Sequence, residues 1–424
     1  MINILSKIFN SKDSKNFYFS DFENLNKITN IEKIFNLFSN FSETSEIRYV
    51  GGSIRKIINK EKVDDIDLAT NITPKIVCEI LKKNNISFYE SGIDYGTITA
   101  KINDHKFEIT TLRKDVSTDG RFAKVEFSND WHEDASRRDF TFNAIYADLN
   151  GNLYDPFNGK KDLELGKVNF IGDPEKRIKE DYLRILRYVR FFLNYSKVDH
   201  SESLKKIIMQ NINGISKISS DRQLDELKKL VLSKGFLKLS KDKFCQEVIT
   251  LIFPQLININ IFKNINDISK KIIVKKDFIF FISLMIIDDK DNSEYFIYKY
   301  NISNEDKKRI RFLSSIFSKN LDKSIFKEKN LWKILYFNGK DYLTDLIDFK
   351  ILKNKKLDKN LFKLKTFFDN QESPKFEIKA KTLIEKFNYK EGKELGVKLK
   401  EIEEFWIENS FKISDQELKK IIKN

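Results

Sequence analysis

The 424-residue sequence contains little cysteine, proline or glycine: 2, 5 and 14 residues respectively. Cys78 and Cys245 lie far apart, and neither belongs to a CxxC pair or to a cysteine–histidine cluster in the sequence. The sequence therefore excludes a zinc ribbon and a disulfide framework, and it favours a reducing compartment. No apolar run approaches the roughly 20 residues of a transmembrane helix, so we expect no membrane span.

Recognisable targeting signals are also lacking at the N-terminus. Met1–Lys15 contains lysine but no arginine and includes Asp13. Transit peptides are instead rich in arginine and poor in acidic residues, and signal peptides have an apolar core that this segment does not have. We therefore expect a cytoplasmic protein, with a mitochondrial location in a eukaryote as the alternative.

The chain carries a formal net charge of +14, from 77 basic against 63 acidic residues. This excess suggests a polyanionic partner, because phosphate contacts dominate affinity for nucleic acids. A coding sequence rich in adenine and thymine, which favours lysine, asparagine and isoleucine, is the alternative explanation. Hydrophobic residues form 41% of the chain and 37 residues are phenylalanine, which predicts folded cores rather than disorder.

The pattern of the chain changes near residue 170, from β-rich runs alternating with helices to almost continuous helical periodicity. The predicted strands are Glu46–Val50, Asp65–Ala69, Tyr95–Ile102, Lys106–Thr111 and Phe142–Leu149. The predicted helices are Phe22–Phe41, Ser53–Asn59, one capped by Thr73 before Pro74, Pro174–Tyr195, Asp221–Ser233, Ser269–Ile287, Glu305–Ser318 and Lys393–Ile407. Pro254 and Pro374 mark connections. The sequence thus predicts a small α+β head followed by an elongated all-α remainder.

Asp65 and Asp67 form a DxD pair on a predicted strand. Alternation along a strand places residues i and i+2 on one face, so the two carboxylates can share divalent cations such as Mg²⁺. Upstream, Gly51–Gly52 can let backbone N–H groups approach a triphosphate, and Arg55 can reach a phosphate oxygen. Downstream, Glu108 lies on a later strand. This order of features indicates a nucleotidyltransferase head similar to that of polymerase β.

The motifs between Arg48 and Phe191 resemble those of the class II tRNA nucleotidyltransferases and their relatives, the bacterial poly(A) polymerases. The matching segments are Gly51–Arg55, Asp65–Thr70, Gly96–Thr99, Phe107–Arg113, Asp119–Arg121, Arg137–Ala144 and Glu180–Arg187. So many motifs in one order exclude chance similarity. Lys56 departs from the family, which usually has Asp there, but that position is not a metal ligand in the family and we expect activity to be retained.

The resemblance implies a division into five segments. These are an N-terminal extension (1–29), a nucleotidyltransferase head (30–150), a neck with a nucleotide-selecting helix (151–235), a helical body (236–365) and an RNA-binding helical tail (366–424). Within the neck, Ser220–Leu227 resembles the closing motif of the family, with Arg222 as its basic residue. Gly392–Asn409 resembles the C-terminal region of bacterial members.

The resemblance also implies an activity, the addition or repair of the 3′-terminal CCA of tRNA from CTP and ATP. The partners would be the tRNA 3′ end and these two nucleotides, with no membrane and no obligatory protein partner. Asp65 and Asp67 would bind Mg²⁺ and act in catalysis together with Glu108. Poly(A) polymerase and CC-only or A-only enzymes remain alternatives. A catalytically dead RNA-binding protein is a further one, and the intact Asp65 and Asp67 argue against it.

Template-independent selection of C and A requires protein groups that read the base edge. A carboxylate can accept from an exocyclic amine and a guanidinium can donate to a ring nitrogen, whereas uracil and guanine would present an acceptor to the carboxylate. Asp181 and Arg184 supply such a pair at positions i and i+3 of the predicted helix. By resemblance they are the protein template, and Arg187 and Arg190 lie near the nucleotide phosphates.

The family implies further nucleotide contacts in the head. The resemblance places Gly52, Arg55, Arg137 and Arg138 at the incoming nucleotide, with Asp139 and Asn143 supporting them, and it makes Thr118–Val125 the flexible loop that helps switch between C and A. The three histidines, His105, His132 and His200, form no His–Asp motif, so we expect no appended phosphohydrolase domain of that type and no histidine ligand.

Overall fold

Residues 18–117, 124–263, 265–317, 323–354 and 358–423 are described by a computed structural model. The predicted N-terminal segment Met1–Lys15 and residues 118–123 of the predicted switching loop lie outside these ranges. The chain divides after Ile252 into two compact units. This division does not test the predicted boundaries at residues 29, 150, 235 and 365, which stay predictions.

Among the described residues, a seven-stranded mixed sheet organises the first unit, in the order β3-β4-β5-β2-β1-β8-β9. The strands are β1 (Ile47–Val50), β2 (Ile66–Thr70), β3 (Ser87–Gly92), β4 (Thr97–Ile102), β5 (His105–Thr111), β6 (Arg113–Ser117), β7 (Lys124–Phe127), β8 (Tyr146–Ala147) and β9 (Leu153–Tyr154). Strands β2 and β5 run parallel, with Asp67 opposite Glu108, and β6 pairs with β7 in a separate hairpin. The pairing of β2 with β5 therefore brings the predicted catalytic carboxylates onto neighbouring strands.

Helices pack around this sheet and continue the first unit beyond it. They are α1 (Phe19–Thr29), α2 (Glu32–Ser39), α3 (Gly52–Ile58), α4 (Pro74–Lys83), α5 (Trp131–Ser136), α6 (Gly159–Leu165), α7 (Pro174–Glu180), α8 (Leu183–Tyr195), α9 (Glu202–Asn211), α10 (Ser220–Val231) and α11 (Lys243–Ile252). After β9, every regular element within the described ranges is a helix. The predicted α+β head with an all-α remainder is confirmed.

Two predicted elements of the first unit are wrong in detail. Phe142–Leu149 is not a continuous strand, because Thr141–Asn143 forms a 3₁₀ turn and only Tyr146–Ala147 pairs in the sheet. The amide Nδ2 of Asn143 donates to Asp139 Oδ1 at 2.8 Å, which holds this turn. Thr73 precedes α4 as predicted, but its side chain makes no capping hydrogen bond.

The predicted helix Pro174–Tyr195 is interrupted, which corrects the expected geometry of the neck. Helix α7 ends at Glu180, Asp181 adopts an extended conformation with φ −151° and ψ 104°, and α8 begins at Leu183. The Asp181 carboxylate accepts the backbone N–H of Leu183 at 3.2 Å. An aspartate competes in this way with the helical hydrogen-bond pattern and stabilises a new helix start.

Asparagine takes many of the left-handed backbone positions. Of the nine non-glycine residues with positive φ in the described ranges, six are asparagines: Asn30, Asn85, Asn103, Asn158, Asn301 and Asn388. Asn30 and Asn388 end α1 and α19 (Ala380–Phe387) in this conformation. Asparagine tolerates it better than most residues other than glycine. Asn30 interrupts the predicted helix Phe22–Phe41, which is therefore the pair α1 and α2.

The second unit is helical throughout the ranges that the structure describes. Its other helices are α12 (Asp267–Ile273), α13 (Phe278–Ile286), α14 (Asn292–Lys299), α15 (Asn304–Phe317), α16 (Glu328–Asn338), α17 (Lys340–Lys353), α18 (Lys359–Asp369), α20 (Lys393–Glu408) and α21 (Asp415–Lys423). Every residue of α13 is buried, so α13 is a core helix of this unit. Asp277 caps α13 through the backbone N–H of Phe280, which splits the predicted helix Ser269–Ile287. No helix among the described residues is long and apolar enough to cross a membrane.

Candidate active site

Strand β2 carries the acidic pair at the edge of a cleft. Asp65 directly precedes β2 and is exposed, whereas Asp67 lies within the strand between the buried residues Ile66 and Leu68. Burial raises the pKa of Asp67, and the charge of Asp65 adds to this rise, while Arg138 and Arg55 oppose it. The two carboxylates are therefore close enough to repel one another, as predicted from the alternation of the strand.

Glu108 faces the same acidic pair from the neighbouring strand. Its register partner is Asp67, and burial together with the charges of Asp67 and Asp65 raises the pKa of Glu108. Asp65, Asp67 and Glu108 thus bring carboxylate oxygens, the ligands that hard divalent cations favour, to two neighbouring strands. The chemistry of these residues thus fits the metal ions that enzymes of this fold family normally use.

The glycine pair opens the space beside Asp67. Gly51 has φ +65° and ψ −113°, a conformation that side chains rarely tolerate. A Cβ atom at Gly52 would lie 3.4 Å from Asp67 Oδ2 and 3.9 Å from the Nη2 atom of Arg55. The absence of a side chain at residue 52 therefore keeps open the space between a carboxylate and a guanidinium, which metal and phosphate groups require.

Nine of the predicted site residues line one cleft of about 780 Å³ in the first unit. They are Gly52, Arg55, Asp65, Asp67, Arg138, Asp181, Arg184, Arg187 and Arg190. Glu108 and Arg137 are not part of this lining. Sequence motifs that are more than 100 residues apart thus meet at one place in the fold.

Asp134 anchors the two arginines that follow α5, and sequence analysis missed it. The carboxylate is 1% exposed and accepts from Arg137 Nη2 at 2.6 Å, Arg138 Nη2 at 3.1 Å and the Tyr146 hydroxyl at 2.6 Å. Burial would raise the pKa of Asp134, but the charges of Arg138 and Arg137 outweigh it and lower this pKa. The spacings i, i+3 and i+4 on a helix could have revealed the cluster. The Arg137 side chain therefore pairs with Asp134 and is not part of the cleft lining.

Three guanidinium groups surround the ring of Phe191. The Cζ atoms of Arg190, Arg55 and Arg187 lie 4.1, 4.7 and 5.5 Å from the ring centroid. Burial lowers the pKa of Arg190, and the charges of Arg187 and Arg55 lower it further, while Glu226 opposes this shift. Three positive charges of the cleft therefore lie around one aromatic ring.

Buried acidic groups hold these arginines in place. Arg187 Nε donates to Asp139 Oδ2 at 2.6 Å, and Arg190 Nε donates to Glu226, which is 2% exposed and lies on α10. Sequence analysis also missed Glu226, because it lies 36 residues after Arg190 and nothing in the spacing connects them. Arg55 donates to Asn143 and, at 3.3 Å, to the hydroxyl of Tyr195.

Asp181 and Arg184 both reach the cleft, but they do not share a helix. Asp181 lies in the break between α7 and α8, and its Oδ2 accepts from Arg222 at 2.8 Å. Arg184 is in α8, and its Nη1 donates to Glu180 at 2.7 Å and to the carbonyl of Arg177 at 2.7 Å. The prediction of an i, i+3 pair on one helix is therefore wrong, although both residues line the same cleft.

His200 lies in a side-chain cluster that the sequence did not predict. Its side chain is 7% exposed, and Nε2 lies 3.2 Å from both oxygens of Asp242, so a His–Asp pair exists in space. Cys245 Sγ lies 3.6 Å from the same nitrogen. The distance of 42 and 45 residues along the chain hid this cluster from sequence analysis.

Comparison with known proteins is consistent with this arrangement. Residues 47–169 match the family of the poly A polymerase head domain. The human mitochondrial CCA tRNA nucleotidyltransferase 1 is 44% identical over 196 residues, which cover 45% of this chain and 44% of the relative. A CCA-adding enzyme of Streptococcus uberis is 28% identical over 380 residues, covering 88% of this chain and 91% of that enzyme. The chain thus matches less than half the length of the first of these relatives.

Solved structures show the same fold. The Bacillus stearothermophilus CCA-adding enzyme in complex with CTP superimposes with a TM-score of 0.68 at 18% identity, covering 90% of this chain and 93% of that chain. The Thermotoga maritima CCA-adding enzyme complexed with tRNA gives 0.57 at 19% identity, covering 99% and 98%. The mixed sheet and its helices resemble the fold of polymerase-β-like nucleotidyltransferases. Within that fold class, residues 47–169 match the poly A polymerase head domain, and the chain is similar to CCA tRNA nucleotidyltransferases and CCA-adding enzymes.

Proposed function

We propose that this protein is a template-independent RNA nucleotidyltransferase that adds or repairs the 3′-terminal CCA of tRNA from CTP and ATP. One observation carries the proposal. The acidic pair Asp65 and Asp67 opens into the same cleft as Asp181 and Arg184, so a metal-binding edge and a possible base-reading pair meet in one space. The names of relatives at up to 44% identity support the choice of reaction.

Asp65 and Asp67 would hold Mg²⁺, with Glu108 as the third carboxylate of the site. Bound divalent cations would stabilise the attacking and leaving oxygens of an in-line phosphoryl transfer. Hard cations that retain water and bind substrate phosphates suit an open carboxylate edge better than a closed cage. Burial, together with the neighbouring carboxylates, raises the pKa of Asp67 and Glu108, and a bound cation would offset this cost.

The arginine cluster around Phe191 would bind the triphosphate. Arg55, Arg187 and Arg190 bring three positive charges close together, and an anionic phosphate chain would relieve their repulsion. Gly52 leaves space for phosphate oxygens beside Asp67. Arg138, oriented by Asp134, lines the same cleft and would contact the nucleotide as well.

Asp181 and Arg184 would read the edge of the base. Arg184 is oriented by Glu180, and Asp181 is oriented by Arg222, so both groups are positioned before a nucleotide arrives. Asp181 would accept from the exocyclic amine of C or A, and Arg184 would donate to a ring nitrogen. Arg222 would then share the Asp181 carboxylate with the base amine. Uracil and guanine, which carry a carbonyl at that position, would be rejected.

A tRNA that lacks its 3′ end tests this function directly. The full chain is incubated with Mg²⁺ and CTP, ATP, UTP or GTP, alone and in combination, and the added tail is sequenced. We expect C, C and A in order when CTP and ATP are both present. A long A tail would identify a poly(A) polymerase, and a tail that stops at CC or begins with A would identify a partial-CCA enzyme. Absence of any addition would contradict the proposal.

The cytoplasm is the compartment that we propose for this reaction. Cys78 and Cys245 are both free thiols, which agrees with a reducing environment. The mitochondrial matrix is the alternative, because the human relative carries the word mitochondrial in its name. Cell fractionation with an antibody against the protein separates the two, and recovery with mitochondrial markers would overturn the cytoplasmic assignment.

A further inference from the structure

A second group of potential metal ligands lies in the first unit, on elements that do not carry the acidic pair. His200 belongs to the connection between α8 and α9, Asp242 directly precedes α11, and Cys245 lies in the first turn of α11. Their donor atoms all lie within 4.8 Å of one another. In the part of the chain that the structure describes, no other group of three histidine, cysteine or acidic side chains comes so close.

The two separations from His200 to the other donor atoms are close to those of a tetrahedral zinc site, and the third separation is at most 4.8 Å. His200 Nε2 is 3.2 Å from the Asp242 oxygens and 3.6 Å from Cys245 Sγ. With Zn–N and Zn–O bonds of about 2.1 Å and a Zn–S bond of about 2.3 Å, tetrahedral angles place N and O about 3.4 Å apart and N and S about 3.6 Å apart. An ion at the centre of the triad would therefore need little movement of the side chains.

The surroundings of His200 also suit a metal ligand. Its Nδ1 lies 2.9 Å from the hydroxyl of Tyr188, so the second ring nitrogen has an oxygen partner that can fix the ring and its tautomer. Metal-bound histidines usually donate their other N–H to such a partner. The ring also lies parallel to Phe192 at a centroid distance of 3.5 Å, and Phe244 packs against its edge.

We propose that His200, Asp242 and Cys245 bind a zinc ion, with water as the fourth ligand. Cysteine and histidine donors select zinc over magnesium, which prefers oxygen ligands in octahedral geometry. Cys245 is fully buried, and Asp242 is 24% exposed, so the fourth position is nearest to solvent on the aspartate side. On binding, Cys245 loses its thiol proton to solvent, and His200 keeps its proton on Nδ1, where Tyr188 accepts it.

Such an ion would link the connection after α8 to the start of α11. Asp242 already accepts the backbone N–H of Cys245 at 2.8 Å, so the two ligands from α11 are positioned by the helix start itself. Helix α8 carries Arg184, Arg187 and Arg190 toward the cleft, and it carries Tyr188 and Phe192 toward His200. The ion would therefore brace the back of the nucleotide-binding helix and take no part in phosphoryl transfer.

Cobalt substitution reports specifically on a cysteine ligand. The full chain is stripped with EDTA and titrated with Co²⁺, and absorption is followed for the thiolate-to-cobalt charge-transfer band and the intense visible bands of tetrahedral Co²⁺. We expect one equivalent of Co²⁺ to produce the charge-transfer band, Zn²⁺ to bleach this band, and Cys78→Ser to behave like the wild type. Cys245→Ser should lose the charge-transfer band. Asp65 and Asp67 cannot produce this band because they supply no sulfur.

A second variant separates a metal site from a buried hydrogen-bond network. Tyr188→Phe removes the partner of Nδ1 and leaves all three ligands, and it should weaken Co²⁺ affinity by about 10- to 100-fold. Zn²⁺ at a hundredfold excess over its Kd should raise the Tm of the wild type by about 5 °C and leave that of Cys245→Ser unchanged. A wild-type protein without a charge-transfer band, or a band lost in Cys78→Ser instead, would overturn the proposal. Neither result depends on nucleotide addition.

Discussion

The acidic side chains of the cleft differ in how strongly the protein surrounds them. Asp65 is exposed before β2, Asp67 is partly buried within it, and Glu108 lies opposite on β5. Asp64, one residue earlier, is directed to Lys62 at 3.0 Å and Lys56 at 3.6 Å. Asp64 thus forms ion pairs with neighbouring lysines, whereas Asp65 and Asp67 form the proposed metal-binding pair.

Replacing either member of the acidic pair should abolish nucleotide addition. Asp65→Asn and Asp67→Asn keep the shape of the side chain and remove its charge, and bound metal ions contribute several kcal/mol to transition-state stabilisation. We therefore expect kcat/KM for CTP to fall by at least about a thousandfold. Affinity for tRNA, measured by filter binding, should stay unchanged. Asp104→Asn, in the exposed turn between β4 and β5, is the matched control. A variant with near-normal turnover in Mg²⁺ would refute the catalytic assignment.

Gly52→Ala should separate stability from activity. Gly52 is the first residue of α3 and has no positive φ, so alanine fits the backbone and should change the free energy of unfolding by no more than about 1 kcal/mol, in the stabilising direction. The new methyl group would occupy the space beside Asp67 Oδ2, and kcat/KM for nucleotides should fall at least about tenfold. Urea unfolding and steady-state kinetics measure the two effects. Full activity in the variant would show that this space is not used.

The break between α7 and α8 sets the relation of Asp181 to Arg184. A continuous helix would fix the two side chains on one face, whereas the extended Asp181 lets Arg222 of α10 reach its carboxylate. Periodicity alone predicted one helix, because apolar spacing continues through the break. A local sequence pattern does not reveal the competing hydrogen bond from Leu183 to Asp181. It also does not reveal Arg222, which reaches Asp181 from a helix that is distant in the sequence.

Substitutions at this break should change which nucleotide is used. Asp181→Ala removes the acceptor for the base amine and the repulsion against the carbonyl of uracil. Discrimination against UTP should fall by roughly ten- to a hundredfold, which corresponds to about 1.5–3 kcal/mol for a charge-assisted hydrogen bond. Arg184→Ala should act similarly. Relative kcat/KM values for the four nucleotides on one truncated tRNA provide the measurement.

Glu175→Ala is the matched control, because this carboxylate on α7 is partly exposed and its ion pair among the described residues is with the neighbouring Lys179. A structural role for Asp181 predicts a different outcome. If Asp181 merely joins α7, α8 and α10 through Arg222, its loss should slow all four nucleotides alike and lower the free energy of unfolding. Unchanged ratios in a folded variant would exclude base reading by this residue.

The contacts of Asp134, which join α5 to β8, should contribute less to the stability of the protein in acid. The folded-state pKa of Asp134 lies below its unfolded value of about 3.9, so its contribution to stability is present above that pH and is lost as pH falls. Asp134→Asn leaves Arg137 and Arg138 without their buried anion and should cost about 3–5 kcal/mol at neutral pH. Urea unfolding as a function of pH should show a shallower acid dependence in the variant, and Asp104→Asn should match the wild type. Identical profiles would contradict the anchoring role.

Sequence patterns predicted the elements of the site better than the contacts that orient them. The DxD alternation predicted Asp65 and Asp67 on one face of a strand; both line the same cleft, although Asp65 directly precedes β2. Asp134 and Glu226 were not predicted as anchors. Asp134 binds arginines three and four residues further along the chain, so the sequence could have revealed it. Glu226, in contrast, contacts Arg190 only because α10 packs against α8. The cluster at His200 depends in the same way on tertiary structure.

Considered as a whole, the chain combines an excess of positive charge with a local concentration of acidic groups. The net charge of +14 is distributed over 424 residues, while Asp65 and Asp67 line one cleft and Glu108 lies opposite Asp67 on β5. We therefore expect RNA affinity and catalysis to rest on different sets of residues. This separation is the reason that the acidic variants should retain tRNA binding.

Binding to tRNA should weaken steeply with salt. Neutralised phosphates release condensed counterions, and several such contacts lower affinity by at least about a hundredfold between roughly 50 and 200 mM salt. Fluorescence anisotropy with a labelled tRNA, in Ca²⁺-free and Mg²⁺-free buffer, gives the slope of log affinity against log salt. CTP binding to the same protein serves as the comparison and should respond less. A flat slope for tRNA would show that the positive charge is not an RNA-binding surface.

The left-handed asparagines connect the backbone of this protein to the composition of its gene. Codons for glycine require guanine at two positions, whereas codons for asparagine require none. Asn30 and Asn388 end their helices with a residue that accepts positive φ at modest cost, so adenine- and thymine-rich codons can still encode sharp helix ends. Mutational drift away from guanine can therefore remove glycines from turns of this kind without removing the turns themselves.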